Sequence, residues 1–281
     1  MEPFFSIIIP TCNRNHLLGQ CLDKLKPGAQ TLAFDLYEVV VSDDSPGYLA
    51  EAFCRENYPW VTYTRGPQKG PAANRNNGAG LAKYGWLVFL DDDCLPDANI
   101  LSAYLQAINQ YPKLQVFEGV ILPEGPKPDA RAFAPVKDTP GFLWSCNFAI
   151  SKPAFEAVRG FDEMYKYPHM EDKDLQLRLE KAGHLIHFVP ASKVVHPWRA
   201  LASGRTLALR EEAFVYYCYK HQYAFKLKVY VRKLFFFYLS AIRQKFSLRG
   251  AFQMGYQYLQ HLIIFLRHYP QWKAKYRHLL P

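Results

Sequence analysis

Residues 86–96 have the sequence WLVFLDDDCLP, in which an apolar run leads directly into the three carboxylates of Asp91, Asp92 and Asp93. Continuous apolar runs rich in β-branched and aromatic residues are typical of parallel strands that are covered on both faces. Two similar runs come earlier in the chain, FFSIIIP at residues 4–10 and YEVVVSDD at residues 37–44. The sequence therefore predicts three buried strands, the third of which ends in three acidic side chains.

Helical patterns separate these predicted strands. NHLLGQCLDKLKPG, at residues 15–28, repeats apolar residues at helical spacing and stops at Pro-Gly, and NRNNGAGLAKYG, at residues 74–85, indicates a second helix. The alternation predicts an α/β fold with a doubly wound, mostly parallel sheet, in which ligands bind at the carboxyl ends of the strands. The polar residues expected at that edge are Pro10, Thr11, Asn13, Arg14, Asp43, Asp44 and the three aspartates of residues 91–93.

The next part of the chain contains a long Pro-rich segment at residues 123–141, which we expect to be a loop. Residues 142–163 then predict a strand and a short helix, and residues 171–183 a helix with Gly183 as its C-terminal cap. LIHFVP and SKVVHP predict two further strands, the second of which ends in His196.

Charge divides the chain in two. Residues 1–200 hold 20 Lys and Arg against 23 Asp and Glu, whereas residues 201–281 hold 14 against two. We therefore predict an α/β domain at residues 1–204 and a basic, aromatic-rich helical segment at residues 205–281. The six cysteines form no C-x-x-C pair and the N-terminus has no signal-peptide pattern, which predicts reduced thiols and a cytoplasmic protein.

Three adjacent carboxylates after a buried strand suit a hard divalent ion such as Mg²⁺ or Mn²⁺, which takes oxygen ligands and shares them with phosphates. On an extended backbone, Asp91 and Asp93 would point together, whereas Asp92 would point away and could contact a ribose hydroxyl. Turn residues or helix caps are the alternative interpretation of the triplet. A histidine at position 196 would complete the metal site, although a lone histidine is more often structural.

Two further pairs of polar residues have a functional and a structural interpretation. Arg75 and Asn76 lie in a predicted helix with three asparagines, which are poor helix formers, and this favours contacts with a diphosphate or nucleoside; a solvated turn remains open. Glu171 and Asp172 begin a predicted helix, where its dipole favours their ionised forms. Asp172 could serve as a general base, whereas Asp174 is interpreted as a helix cap.

Taken together, these segments resemble the family 2 glycosyltransferases, which have the GT-A fold. The matching pieces occur in the family's order and cover about residues 4–197: SIIIPTCNR, VVVSDDSP, GPAANRNNGAGLAKYGWLVFLDDDCLP, WSCNFAISKPAFEAVRGFDE and EDKDLQLRLEKAGHLIHFVPASKVVHP. The resemblance implies a nucleotide-sugar donor, which we expect to be a UDP-sugar, and transfer of its sugar to a hydroxyl with inversion at the anomeric carbon.

The resemblance also implies roles for particular residues. The residues expected to bind the nucleotide are Pro10, Thr11, Asn13, Arg14, Asp43, Asp44, Arg75, Asn76, Asp91 and Asp92. The expected ligands of Mn²⁺ or Mg²⁺ are Asp91, Asp93 and His196. The expected base is Asp172, with Glu171 beside it, and the acceptor pocket is expected to include Trp144 and Asn147. This sequence departs from the family at Asn74, where alanine is usual, and at Cys146, where glycine is usual. These departures leave the sugar specificity open.

The basic segment at residues 205–281 mixes Tyr, Phe and Leu with Lys, Arg and His at roughly helical spacing. Its longest uncharged apolar run, residues 234–242, is far shorter than the roughly 20 residues that a membrane-spanning helix needs. Two interpretations remain open: amphipathic helices on an anionic membrane surface beside the acceptor, or helices that pack on the catalytic domain or form a homo-oligomer. Nucleic acid is not expected as a partner, because no recognition motif is present and the catalytic half is acidic.

The sequence thus predicts a metal-dependent, inverting hexosyltransferase of polysaccharide or cell-surface glycan synthesis, peripheral to the cytoplasmic face of the membrane, with a glycan or lipid-linked acceptor. A nucleotidyltransferase is the enzymatic alternative, but PTCNRNHLLG lacks the Gly-rich, basic loop that such enzymes carry after the first strand. A non-catalytic binding protein on a degenerate transferase fold is the other alternative. The intact carboxylate triplet and Asp172 argue against it.

Overall fold

The computed structural model describes residues 4–280. The chain forms two compact units, one comprising Met1–Glu124 with Pro135–Pro197 and the other Gly125–Ala134 with Trp198–Pro281. The division therefore lies a few residues before the boundary that the charge distribution predicts. It also assigns part of the long Pro-rich segment to the second unit.

The first unit is built on an eight-stranded, mixed but mostly parallel sheet, which confirms the predicted α/β class. Its strands are β1 (Phe5–Thr11), β2 (Tyr37–Asp43), β3 (Thr62–Arg65), β4 (Trp86–Phe89), β5 (Leu95–Pro96), β6 (Val116–Pro123), β8 (Phe148–Ser151) and β9 (Ile186–His196). They are arranged in the order β3-β2-β1-β4-β8-β6-β9-β5. The described residues of this unit also form six α-helices: α1 (Asn15–Asp23), α2 (Leu49–Asn57), α3 (Pro71–Gly80), α4 (Ile100–Gln110), α5 (Lys152–Ala157) and α6 (Glu171–Lys181).

Strand β1 lies between β2 and β4 and is parallel to both. Thr11 pairs with Asp43 at the carboxyl end, and Ile8 pairs with Phe89. The polar residues that follow these three strands therefore lie at one edge of the sheet. Along the sequence, α2 and β3 come between β2 and β4, and the sequence analysis did not identify either of them. β3 has the half-buried sequence TYTR and no apolar run.

Helix α3 packs closely on β1 and β2 because of its small and amide residues. A Cβ at Gly78 would lie 2.8 Å from Ile8 Cγ2, so only glycine permits this approach. The buried Asn74 side chain donates to the carbonyl of Ser42 (2.9 Å) and the carbonyl of Thr11 (3.3 Å), and accepts a bond from Ser42 Oγ (2.6 Å). The departure from the family at this position therefore serves to hold the helix on the sheet.

The prediction of two separate strands at residues 185–197 is wrong. β9 is a single strand that runs parallel to β6, with a register shift at which Gly119 pairs with Val189 but Val120 pairs with Lys193. Residues 190–192 of β9 therefore have no partner residue in β6, and pairing resumes at Lys193. The strand then continues to His196 at the carboxyl-end edge. β5 then pairs antiparallel with the end of β9, Leu95 opposite Val195.

The second unit is mainly helical. It contains the two-stranded pairing of β7 (Ala132–Phe133) with β10 (Arg199–Ala200), followed by α7 (Gly204–Lys220), α8 (Leu227–Gln244) and α9 (Leu248–Tyr276). The nearly fully buried ring of His261 lies between the hydroxyls of Tyr230 (3.1 Å) and Tyr238 (3.2 Å). Across residues 4–280, each helix is too short or too polar to cross a bilayer.

Candidate active site

The aspartate triplet lies in a turn. β4 ends at Phe89, and the backbone N–H of Cys94 donates to the carbonyl of Asp91 (3.1 Å). The predicted alternation of side chains on an extended strand is therefore wrong. Asp92 and Asp93 are buried, whereas Asp91 is partly exposed.

Each of the three carboxylates is held by residues from elsewhere in the first unit. Thr11 Oγ1 donates to Asp92 Oδ2 (2.7 Å), and Arg14 Nη2 lies 2.7 Å from Asp92 Oδ1. Arg14 Nη1 also lies 3.7 Å from Asp93 Oδ2. Asp91 instead pairs with Arg75, whose Nη2 lies 2.7 Å from its Oδ1. The middle and last aspartates thus share one arginine, and the first has another.

His196 completes a compact group with Asp93. Its Nε2 lies 3.4 Å from Asp93 Oδ1, and its Nδ1 lies 2.8 Å from the carbonyl of Pro197. A proton on Nδ1 would bond to this carbonyl and leave the Nε2 lone pair directed at the carboxylate. Burial lowers the pKa of His196. A neutral imidazole nitrogen facing a carboxylate is an arrangement that a cation between them stabilises.

These residues fit a divalent cation. One ligand atom each from Asp93, Cys94 and His196 lies within 4.8 Å of the others, and all three residues are buried. Carboxylate oxygen and imidazole nitrogen suit Mn²⁺, whereas the soft sulfur of Cys94 is not a ligand that a hard cation selects. Around this group, carboxylates outnumber arginines: Asp91, Asp92, Asp93, Glu171 and Asp172 are accompanied by Arg14 and Arg75.

Arg75 links the aspartate turn to helix α6. Its Nη1 lies 3.3 Å from Glu171 Oε1, and its side chain is 4% exposed. Burial alone would lower its pKa, but the charges of Asp91, Asp172 and Glu171 raise the pKa of Arg75 above its ordinary value. The guanidinium therefore stays charged within a buried acidic cluster.

Asp172 lies in the first turn of α6. The backbone N–H of Ser145 donates to its Oδ2 (3.1 Å), whereas its buried Oδ1 has no hydrogen-bond partner within residues 4–280. Burial raises the pKa of Asp172, and the charge of Arg75 opposes this shift. Burial, followed by the charge of Asp172, raises the pKa of its neighbour Glu171 to about 7. Asp172 thus has one anchored carboxylate oxygen and one available for a proton.

The interpretation of Asp174 as a helix cap is wrong. The cap position of α6 is Met170, in a left-handed conformation and without a side-chain capping bond. The Asp174 carboxylate instead accepts bonds from Tyr165 Oη (3.3 Å) and Arg178 Nε (2.7 Å). The bond from Tyr165 ties α6 to the loop that precedes it, and the bond from Arg178 lies within the helix.

Asp43 and Asp44 are engaged with their own loops. The fully buried Asp43 carboxylate accepts bonds from the backbone and hydroxyl of Ser45, from Ala50 N–H (3.2 Å) and from Tyr63 Oη (3.3 Å). Asp44 accepts bonds from the backbone N–H groups of Gln68 (2.9 Å) and Gly70 (3.2 Å). In this structure both side chains shape the loops around β2, and their nucleotide contacts stay a prediction.

The other residues that were predicted to bind the nucleotide are Pro10, Asn13 and Asn76. Pro10 is buried in β1, and Asn13 adopts a left-handed conformation with its N–H donating to Ser45 Oγ (2.7 Å). The Asn76 amide exchanges two hydrogen bonds with the backbone of Phe161, 2.8 and 2.9 Å, and donates to Glu163 (3.1 Å). The structure therefore places the Asn76 amide against the Phe161 loop rather than with the carboxylates that Arg75 contacts.

The assignment of Asn147 to the acceptor pocket is not supported by its position. Its side chain is fully buried, donates to the carbonyls of Val120 (2.9 Å) and Ser192 (3.1 Å), and accepts a bond from Tyr104 Oη (2.7 Å). It satisfies the backbone groups left unpaired by the register shift between β6 and β9. Trp144 is half-buried against the core and lies next to Ser145, and its place in the acceptor pocket stays a prediction.

A buried ion pair that the sequence analysis did not identify supports the loop before Ser145. Lys137 Nζ lies 3.0 Å from Glu118 Oε2 and donates to the carbonyl of Phe142 (2.8 Å). The N–H of Gly141 donates to the same glutamate (2.8 Å). The signal in the sequence is a single carboxylate within the apolar run VFEGVIL of residues 116–122, because such a charge is rarely buried without a partner.

Comparisons with solved structures show the fold. The mannosyltransferase PcManGT from Pyrobaculum calidifontis, in complex with GDP-Man and Mn²⁺, superposes with a TM-score of 0.57 at 17% identity, over 99% of this chain and 85% of that one. S. aureus TarS 1-349 in complex with UDP-GlcNAc gives a TM-score of 0.58 at 14% identity, over 95% of this chain and 92% of that one. These likenesses confirm the predicted GT-A fold.

Sequence relatives are named glycosyltransferases. Validoxylamine A glucosyltransferase of Streptomyces hygroscopicus subsp. jinggangensis (strain 5008) is 30% identical over 222 residues, 64% of this chain and 52% of the relative. N-acetylglucosaminyl-diphospho-decaprenol L-rhamnosyltransferase of Mycobacterium tuberculosis (strain ATCC 25618 / H37Rv) is 43% identical over 65 residues, 23% of this chain and 20% of the relative. The chain thus spans about half the length of the first relative and about a fifth of the second.

A family model described as "Glycosyl transferase family 2" matches residues 6–156, which include all of β1 except Phe5, the aspartate turn and Asn147. This match covers more than half of the chain and agrees with the fold and with the names of the relatives. The chain belongs to glycosyltransferase family 2.

Proposed function

We propose that this protein transfers a sugar from a UDP-sugar to a hydroxyl of a glycan or lipid-linked acceptor, with inversion at the anomeric carbon and with Mn²⁺ as cofactor. The observation that carries the proposal is the Asp93–His196 pair, 3.4 Å apart and buried at the carboxyl-end edge of the sheet. Arg75 connects this edge to Glu171, the neighbour of Asp172. Cation-binding groups and a candidate base therefore belong to one connected cluster.

Asp93 and His196 would hold the cation, with Asp91 as the further ligand that the family resemblance implies. The bound cation would neutralise negative charge on the departing nucleoside diphosphate. Arg14, which is 37% exposed and already spans Asp92 and Asp93, is placed to add a guanidinium contact to a diphosphate.

Asp172 would act as the general base. Its Oδ1 takes the proton of the acceptor hydroxyl, whose oxygen forms a bond to the anomeric carbon while the bond from that carbon to the diphosphate oxygen breaks and leaves its electron pair on the diphosphate. The Ser145 N–H holds Oδ2 and so fixes the orientation of the carboxylate. Glu171, which is tied to Arg75, would position the start of α6.

The donor and acceptor classes rest on the relatives. Similar structures contain UDP-GlcNAc in one case and GDP-Man with Mn²⁺ in another, which supports a nucleotide-sugar donor and a divalent cation. The name of the mycobacterial relative describes a diphospho-decaprenol substrate, which supports a lipid-linked acceptor. Polyprenol-linked intermediates are held in a membrane, and we place the reaction at its cytoplasmic face.

The experiment is calorimetric titration with UDP-, GDP-, CMP- and dTDP-sugars, each with Mn²⁺ and with EDTA. We expect the wild type to bind UDP-sugars with Mn²⁺ and not with EDTA. For Asp93→Asn and His196→Ala, we expect Mn²⁺ no longer to increase the affinity for UDP-sugars. Asp23→Asn, at an exposed position on α1, is the matched control and should bind as the wild type does. Absence of binding to every donor, or equal binding with EDTA, would overturn the proposal.

A further inference from the structure

Helix α9 presents an apolar surface to water. Between Gly250 and Leu266, the residues with an exposed side chain are all large and apolar. These five residues, called the apolar stripe below, are Phe252 (79% exposed), Tyr256 (62%), Leu259 (55%), Ile263 (64%) and Leu266 (43%). Their spacing of three and four residues places them on one face of the helix. A helix face in contact with water normally carries polar residues.

The opposite face of α9 already provides the packing that its own unit needs. Met254, His261 and Phe265 are buried, and the ring of Phe265 stacks on that of Tyr230 of α8 with centroids 4.2 Å apart. α9 therefore has two apolar faces, one covered within the unit and one exposed. Contiguous exposed apolar surface of this kind marks an interaction site.

Charge indicates the nature of the partner. Residues 213–281 contain twelve Lys and Arg and no Asp or Glu. Arg249 and Arg267, at the two ends of the apolar stripe, are exposed. Such a surface is complementary to an anionic layer and repels a second copy of itself.

Helix α8 contributes the same combination of residues. Its exposed aromatic side chains are Phe235 (47%), Phe236 (55%) and Phe237 (42%), and they follow the exposed Arg232 and Lys233. Aromatic and aliphatic side chains flanked by Lys and Arg are typical of helices that lie in the interface of a bilayer. No helix within residues 4–280 meets the requirements for spanning one.

We propose that the apolar stripe of α9, with the neighbouring Arg249 and Arg267, docks this protein on the surface of a bilayer that contains anionic lipid. The inference goes beyond the proposed sugar transfer and does not depend on it, because lipid binding is measured without donor or acceptor. In the docked state the stripe is buried among acyl chains near the headgroups, and the basic residues lie at the phosphate level.

The test is co-sedimentation of the full chain with vesicles of phosphatidylcholine alone or mixed with phosphatidylglycerol. We expect the wild type to bind the mixed vesicles at least about tenfold more strongly, and added salt to weaken this binding. Leu259→Gln/Ile263→Gln should lower binding about tenfold or more, because two apolar side chains no longer leave water. Arg249→Gln/Arg267→Gln should reduce the preference for phosphatidylglycerol.

The matched control is Leu81→Gln/Leu185→Gln, which removes two leucines of the first unit that are 46% and 71% exposed. This control should bind vesicles as the wild type does. Wild-type binding by the stripe variant, or no vesicle binding by the wild type, would overturn the proposal. Sedimentation velocity provides the alternative outcome: a wild-type dimer that the stripe variant converts to monomer, without lipid binding by either, would identify the stripe as a self-association surface and refute membrane docking.

Discussion

Arg75 Nη1 lies 3.3 Å from Glu171 Oε1, and the two nearly fully buried side chains are 96 residues apart in the sequence. The other terminal nitrogen of the same guanidinium lies 2.7 Å from Asp91. One buried cation therefore joins the turn that carries the candidate metal ligands to the helix that carries the candidate base. We expect both stability and catalysis to depend on this connection.

We expect Arg75→Met to lower the free energy of unfolding by about 3–5 kcal/mol, because it leaves buried carboxylates without their cation. Arg75→Lys should recover only part of this loss, since one ammonium group cannot replace a two-pronged guanidinium. Urea denaturation with EDTA present measures the effect. Arg55→Met, on the exposed side of α2, is the control. A loss below about 1 kcal/mol for Arg75→Met would contradict the role of Arg75 as the central cation.

Glu171 should make stability depend on pH. Because burial raises the pKa of this group in the folded protein from 4.5 to about 7, the folded chain retains a proton that the unfolded chain releases. Its contribution to stability is therefore fully present below about pH 4.5 and is lost as the pH rises through about 7. The difference in unfolding free energy between the wild type and Glu171→Gln, measured with EDTA, should decrease across this range. A constant difference, or one that increases with pH, would refute the shift.

Asp172→Asn should retain donor binding but lower kcat by about 10²- to 10⁴-fold, because an amide can still accept the Ser145 bond but cannot take a proton. Calorimetry measures the donor affinity and a coupled assay of nucleoside diphosphate release measures kcat. Glu180→Gln changes an exposed carboxylate of the same helix and should leave both unchanged. Wild-type turnover by Asp172→Asn would exclude this residue as the base.

Asn147→Ala should destabilise the protein by about 3 kcal/mol or more, because the buried carbonyls of Val120 and Ser192 lose their donor. The KM for the acceptor should stay the same in the folded fraction. Thermal and urea unfolding give the stability, with Asn109→Ala on the exposed face of α4 as the control. A variant of normal stability with a raised acceptor KM would restore the pocket role that the sequence suggested.

The sequence by itself predicted the elements whose signal is local. The apolar runs of β1, β2 and β4 and the local helix patterns of α1, α3 and α6 depend on neighbours within a few residues, and the structure has all six elements. Chain direction in parallel strands then determined that the polar residues after them share one edge. The family motifs therefore predicted the fold and the place of the candidate site.

The tertiary structure alone decided where each polar side chain makes its contacts. Asp92 bonds to Thr11, Arg75 to Glu171 and Asn147 to Ser192, across 81, 96 and 45 residues of sequence. The local sequence pattern therefore does not show these contacts. The same holds for α9. Its two apolar faces have the same helical spacing in the sequence, and only packing against α7 and α8 determined that the face with Phe265 is covered while the face with Leu259 and Ile263 remains in water.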